Sequence, residues 1–191
     1  MSIIKSISYT DQEILQAILT LYVKDDRFDL DPCYSKGVFY KGMNEPRLKY
    51  DISPQIEGVI KADVKDIVLN ERIKSIVFDP PFLFHMRGSY SIRDRFSGFK
   101  NFNELEDMYR KALKRFYDML DKGGIVAFKC QDFTDTKTTL THCFVWRWAE
   151  EQGFYVKDIF IKIAKQRLIL QKKQRHARKF HSYWLVLEKV K

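Results

Sequence analysis

The chain has 191 residues, 45% of them hydrophobic and 31% charged, with 15 Phe and 10 Tyr; that composition fits one globular domain and excludes a disordered chain. No apolar run reaches the ~18 residues that span a bilayer, and the N-terminus MSIIKSISYTDQE lacks the apolar core and cleavage site of a signal peptide. Three scattered cysteines and four histidines at no metal-ligand spacing lead us to expect a reduced, metal-free, cytoplasmic protein.

Thr10 followed by Glu13 forms a capping box, and Ile14, Ala17, Ile18 and Leu21 recur at helical spacing, so a helix is predicted from Asp11 to Lys24. A short strand is expected from Arg27 to Leu30, then a turn around Pro32 to Gly37. Extended segments follow at Leu48–Asp51, Gly58–Lys61 and Ile73–Phe78, the last stopped by Pro80 and Pro81. Ser89 to Phe102 reads as a long exposed loop.

Leu105, Met108, Tyr109, Ala112, Leu113, Phe116 and Leu120 lay an apolar stripe on a helix from Asn103 to Leu120. Lys122-Gly123-Gly124 ends it, and GGIVAFKC is a buried strand, with Cys130 in the core. A further helix is expected from Thr138 to Gln152, closed by Gly153. Phe154–Ala164 and His181–Glu188 read as strands. This alternation predicts an α/β domain with a doubly wound, mostly parallel sheet. The last strand, reached without a helix, should run antiparallel to its neighbour. A single domain spanning residues 1–191 is expected, with no separate target-recognition domain.

The net charge is +9, from 34 basic and 25 acidic residues. From Ile161 onward there are ten basic residues and one acid, Glu188, so the other 160 residues carry 24 of each sign and balance. The excess is densest between Lys165 and Lys179. Concentration into one segment points to a polyanion, with a solvated, partnerless loop as the alternative. Lys172, Lys173, Arg175, Arg178 and Lys179 are the candidate phosphate contacts, with Tyr183 and Trp184 nearby for stacking.

Acidic residues end or follow four of the expected strands: Asp29 with Asp31, Asp51, Asp63 and Asp79. Each alone is an ordinary cap, but ligands of open α/β sheets bind beyond these strand ends. Asp79-Pro80-Pro81-Phe82 carries the chemistry. Its prolines stiffen the strand end and leave carbonyls free to accept. An amino group could be held between the Asp79 carboxylate and the Pro80 carbonyl, with Phe82 stacked on the attached ring. A proline-stiffened turn with a buried Phe is the bland alternative.

The order DPCYSKG, YDISP, ADVKD, IVFDPPF, LDKGGIVAFKCQD and HSYWLVLEK resembles the class I S-adenosylmethionine-dependent methyltransferases. Within them the chain looks like the small bacterial or phage DNA adenine-N6 or cytosine-N4 amino-methyltransferases, from about Asp29 to the end. The resemblance implies a Rossmann-like fold and S-adenosyl-L-methionine as cofactor. It implies that Asp31, Pro32, Cys33, Tyr34, Ser35 and Gly37 form the loop beneath the methionine part, with Ser35 where the family has a first glycine. Asp51 would then accept from the ribose hydroxyls, and Asp63 with Val64 would meet the adenine. Asp79, Pro80, Pro81 and Phe82 would hold the target amine. The loop from His85 to Lys100, with Arg93 and Arg95, would close over a flipped base or be an ordinary surface loop.

Under this resemblance adenine N6 in DNA ranks before cytosine N4, because the motif opens with Asp. An RNA base methyltransferase and a catalytically dead nucleic-acid-binding relative are the alternatives. The expected partner is nucleic acid, DNA before RNA, with no metal and no membrane. A monomer or homodimer, with room for a separate specificity partner, completes the expectation.

Overall fold

The structure is a computed structural model, and it describes residues 3–82, 98–134, 137–165 and 176–191. The ten strands among the described residues are β1 (Ile7–Ser8), β2 (Leu30–Asp31), β3 (Leu48–Asp51), β4 (Ile60–Lys61), β5 (Ile73–Phe78), β6 (Leu120–Cys130), β7 (Phe133–Thr134), β8 (Thr138–Thr139), β9 (Phe154–Ile163) and β10 (His181–Lys189). The helices are α1 (Asp11–Ile18), α2 (Phe102–Met119) and α3 (Thr141–Gln152). No helix among the described residues is long and apolar enough to cross a membrane.

Eight strands form one sheet in the order β1-β9-β10-β6-β5-β2-β3-β4, and β7 pairs with β8 separately. Every neighbour in the large sheet is parallel except β10, which runs against both β9 and β6. The doubly wound sheet and the antiparallel closing strand agree with the sequence-based expectation. Strand order reverses between β2 and β5, so the topological switch point lies there, above Asp31 and Phe78.

Local sequence accounts for most boundaries. Thr10 caps α1 by accepting from the Glu13 N–H at 3.2 Å, and Asn101 caps α2 by accepting from Glu104 at 3.0 Å. The apolar stripe of α2 buries Leu105, Tyr109, Ala112, Leu113 and Phe116 against one sheet face, where α3 joins it. Phe78 sits at the centre of that layer, edge-on to Phe116 and Phe128 at 4.9 Å each. The opposite face packs Ile14, Leu15 and Ile18 of α1 against Val77, Ala127, Trp184 and Val186.

Several boundaries differ from expectation. The first helix changes to a wider π-type turn at Leu19–Val23 and ends at Lys24, which adopts φ 58°. The strand expected over Arg27–Leu30 is instead Leu30–Asp31. Asp29 precedes it, and its carboxylate accepts from the Lys74 and Ser75 amides at 2.8 and 3.2 Å, clamping the start of β5. Asp29 thus lies at the opposite end of β2 from the other strand-end acids. Gly58 and Val59 lie outside β4. Strand β6 starts at Leu120, directly after α2, and its pairing with β5 skips from Ile73–Leu120 to Ser75–Ile125. Thr138 and Thr139 form β8 rather than the start of a helix.

A larger difference concerns the crossovers. Between β2 and β5 the chain makes only two short 3-10 turns, Val38–Tyr40 and Val64–Asp66, where a doubly wound sheet normally carries helices. Tyr34 and Tyr40, stacked at 5.6 Å, fill part of the layer that such a helix would occupy. Most of the loop expected at Ser89–Phe102 lies outside the described residues, and Phe102 begins α2, packed on Phe144 at 5.0 Å.

Candidate active site

The carboxyl ends of β2, β3, β4 and β5 open onto one cavity of about 550 Å³ at the switch point. Its wall takes Pro32, Cys33 and Ser35 from the loop after β2, and Asp51 and Ser53 from the end of β3. Asp63 and Val64 follow β4, and Asp79, Pro80, Pro81 and Phe82 follow β5. Gly98, Phe99 and Met108 close the far side. Ten residues singled out in the sequence therefore meet here. A cavity of this size is in the range of small-molecule sites.

The loop after β2 is held by short, specific contacts. Asp31 is buried; its carboxylate accepts from the Cys33 N–H at 2.8 Å and from the Tyr40 hydroxyl at 2.7 Å. Burial pushes the Asp31 carboxyl up to about 7, against those two hydrogen bonds, and Asp79 and Asp51 add to the rise. Burial and the nearby Asp31 also hold the Cys33 thiol well above its ordinary value, so it is a neutral wall group. Ser35 adopts φ 52°, the left-handed conformation that a glycine takes without cost, and donates its N–H to Asp51 at 2.8 Å.

Gly37 has φ 62°, and a Cβ there would collide with the Tyr34 ring. Asp31, Tyr34 and Gly37 thus shape the loop from behind, and none of the three lines the cavity.

Asp51 accepts one backbone N–H on each oxygen, from Ser35 and from Ser53 at 2.7 Å. Each carboxylate oxygen has a second lone pair, so the pinned group can still accept from a ligand hydroxyl. Asp63 caps the turn behind it, accepting from the Lys65 N–H at 3.2 Å.

Asp79 is the unusual member. Its Oδ2 lies 3.2 Å from the Lys129 Nζ, whereas its Oδ1 is buried and has no hydrogen-bond partner among the described residues. Burial raises the Asp79 carboxyl above the usual range, Lys129 pulls it back and Asp11 opposes that pull. The Pro81 carbonyl accepts from the Tyr109 hydroxyl at 3.1 Å, so a buried α2 side chain fixes the turn. A buried acceptor without a partner costs about 1–3 kcal/mol, which a bound N–H donor would recover.

Lys129 and Asp11 were not among the sequence candidates. Lys129 is 5% exposed and contacts Asp11 at 3.0 Å, with its ammonium over the Phe39 and Trp184 rings. A lysine inside the apolar run GGIVAFKC was the available signal, since a buried charge needs a partner. Sequence cannot name Asp11, which lies 118 positions earlier in the numbering, as that partner.

Trp184 corrects an expectation. It is 0% exposed, and its indole N–H donates to Asp11 at 2.9 Å, so it is core and not a stacking surface. Tyr183 is half-buried and stacks on His142 at 4.1 Å, while His142 bonds to the buried Asp132 at 2.8 Å. Arg93, Arg95, Lys172, Lys173 and Arg175 lie outside the described residues. Arg178 and Lys179 are half-buried where the chain enters β10.

No protein-family model matches the chain, and no curated protein matches it. Solved structures do share its fold. An S-adenosylmethionine-dependent methyltransferase from Clostridium acetobutylicum ATCC 824 is 10% identical, with a TM-score of 0.52 over 100% of this chain and 93% of that one. The N-methyltransferase NodS from Bradyrhizobium japonicum WM9 is 12% identical, with a TM-score of 0.53 over 95% of this chain and 97% of its own. A TehB-like SAM-dependent methyltransferase from Corynebacterium glutamicum ATCC 13032 is 13% identical, with a TM-score of 0.52 over 95% and 88%. At these identities the likeness is one of fold.

Proposed function

We propose that this chain is an S-adenosyl-L-methionine-dependent N-methyltransferase acting on an exocyclic amine of a nucleic-acid base, adenine N6 in DNA before any other. One observation carries the reading: Asp79, whose buried Oδ1 has no hydrogen-bond partner among the described residues, lines a cavity at the switch point of a doubly wound sheet. The fold shared with solved methyltransferases supports the cofactor class.

The residues present suit that cofactor. Asp51 offers a pinned carboxylate to ribose hydroxyls, Asp63 and Val64 border the place for an adenine, and Pro32, Cys33 and Ser35 border the place for the methionine part. When bound, S-adenosyl-L-methionine supplies a sulfonium methyl group as the electrophile and leaves as S-adenosylhomocysteine. The Asp79 carboxylate accepts one N–H of the target amine, and the Pro80 carbonyl is the candidate acceptor for the second. Phe82 offers a face to the attached ring. These contacts orient the nitrogen lone pair, and orientation in a dry pocket accounts for much of the rate. As the N–C bond forms, the nitrogen sheds one proton, for which the Asp79 carboxylate is the candidate acceptor.

The topology supports a polyanionic substrate. The chain leaves β9 at Ile163 and re-enters β10 at His181, which pair with each other at the sheet end that carries Asp79. The basic run of the sequence lies between those two residues. For a duplex the base must leave the stack, at a cost of a few kcal/mol.

The test is methyl transfer from labelled S-adenosyl-L-methionine to unmethylated duplex DNA and to unmodified RNA, with nucleosides identified by mass and cofactor binding measured in parallel. N6-methyladenine from DNA is the expected product. A methylated base from RNA alone would move the substrate to RNA. Absent cofactor binding would refute the enzyme reading and leave a nucleic-acid-binding relative.

A further inference from the structure

The two oxygens of Asp79 have different surroundings. Oδ2 is held by Lys129 of β6, which is itself held by Asp11, the first residue of α1. Asp11 is in turn held by Lys162 of β9 and by the Trp184 indole N–H. Two acids and two lysines thus form a linear chain of ion pairs, Lys162–Asp11–Lys129–Asp79, that reaches the cavity wall. Such a network is costly to bury and gains most when every member is satisfied. In this network Asp79 Oδ1 is the buried side-chain oxygen that has no hydrogen-bond partner among the described residues.

We propose that Lys129 is a positioning residue for Asp79: by anchoring Oδ2 it keeps the carboxylate ionised and fixes its orientation at the cavity wall. The activity arm of this inference rests on the function proposed above; the positioning itself does not. Asp11 fixes the ammonium, and the Phe39 and Trp184 rings leave it no route to solvent on that side. Without Lys129, Asp79 would share its surroundings with Asp11 from α1 and Asp31 from β2. Cys33, Tyr40 and Tyr109 face it as neutral groups, and Lys162 becomes the remaining cation. Burial and like charge would then favour the protonated carboxyl, which has an O–H to donate and accepts poorly.

The experiment is a ¹³C NMR titration of protein labelled at aspartate carboxyls, with the Asp79 signal assigned by its loss in Asp79→Asn. Lys129→Met should raise the Asp79 midpoint by about one unit or more, and Lys129→Arg should bring it back toward wild type. If Lys129→Met alone does not fold, Asp11→Asn/Lys129→Met against Asp11→Asn gives the same comparison with the charge balanced. An unmoved midpoint in either comparison overturns the proposal. In the transfer assay, Lys129→Met should lose about tenfold in kcat at neutral pH and regain it as pH rises, at unchanged KM for the cofactor. A loss equal at every pH would mark Lys129 as merely structural. If wild type transfers no methyl group, the function reading fails and the NMR titration still decides the positioning.

Discussion

At the residue scale, the charge state of the strand-end acids decides what this pocket can bind. Asp31 is pushed up to about 7 by burial, with Asp79 and Asp51 adding to the rise. Its ordinary value in an unfolded chain is about 3.9. The folded state therefore holds an extra proton between those limits. The stability that this proton contributes is complete below about pH 4 and is lost as pH rises through about 7. Asp31→Asn keeps an acceptor for the Cys33 N–H and removes the titration. The variant should gain on wild type by a few kcal/mol between pH 4 and 8, read from urea midpoints. Parallel pH curves for the two proteins would contradict this account of Asp31.

The same scale explains what the sequence could and could not say about the site. Asp51, Asp63 and Asp79 were legible because each follows an apolar or extended run whose end is marked by Ser, Pro or a charge. Lys129 was not, because its partners Asp11 and Asp79 lie far off in sequence and meet it only through the sheet. Trp184 misled for a related reason: proximity to a basic segment suggests stacking, but alternation along β10 turns it inward onto Asp11.

At the scale of elements, strong periodicity was a reliable guide. α2, β5 and β10 lie within two residues of their expected limits because their apolar patterns are long and their caps explicit. Short strands were less legible. β2 has two residues, and its position is set by the Asp29 clamp on β5 and by the Leu30 pairing with Ile76. No local pattern encodes either. The missing crossover helices were also hidden, since Tyr34 and Tyr40 substitute for a helical layer through a tertiary stack.

One element junction has a direct energetic test. Helix α2 runs straight into β6, leaving carbonyls at its C-terminal end without helical partners. Lys189 of β10 donates to Tyr117 O and Leu120 O at 2.7 and 2.8 Å, and Arg72 donates to Asp118 O and Leu120 O at 3.1 and 2.9 Å. Lys189→Met should leave the Tyr117 carbonyl unpaired and lower stability by about 1–3 kcal/mol. Urea denaturation at constant slope measures this, and an unchanged midpoint would mean that water satisfies those carbonyls equally well.

At the scale of the whole molecule, the sheet gathers its chemistry at one end. The four strand ends, the cavity, the turn after Asp79 and both termini of the basic segment lie on the carboxyl edge of the sheet, whereas Asp29 and the α2–β6 junction lie at the other. In sequence, seven basic residues and no acid fall between β9 and β10. The candidate site and the structural clamps are thus separated along the strands, as expected for an open α/β sheet.

The central claim is that the Asp79 carboxylate receives the target amine while other residues hold the cofactor. The most direct measurement is single-turnover methyl transfer by Asp79→Ala beside wild type, with S-adenosyl-L-methionine affinity determined on the same samples. The account predicts that the variant binds the cofactor as wild type does and loses transfer by about 10²–10³-fold or more, the loss seen when one preorganised hydrogen-bonding group is removed from an active site. Transfer at the wild-type rate with the cofactor bound would contradict it.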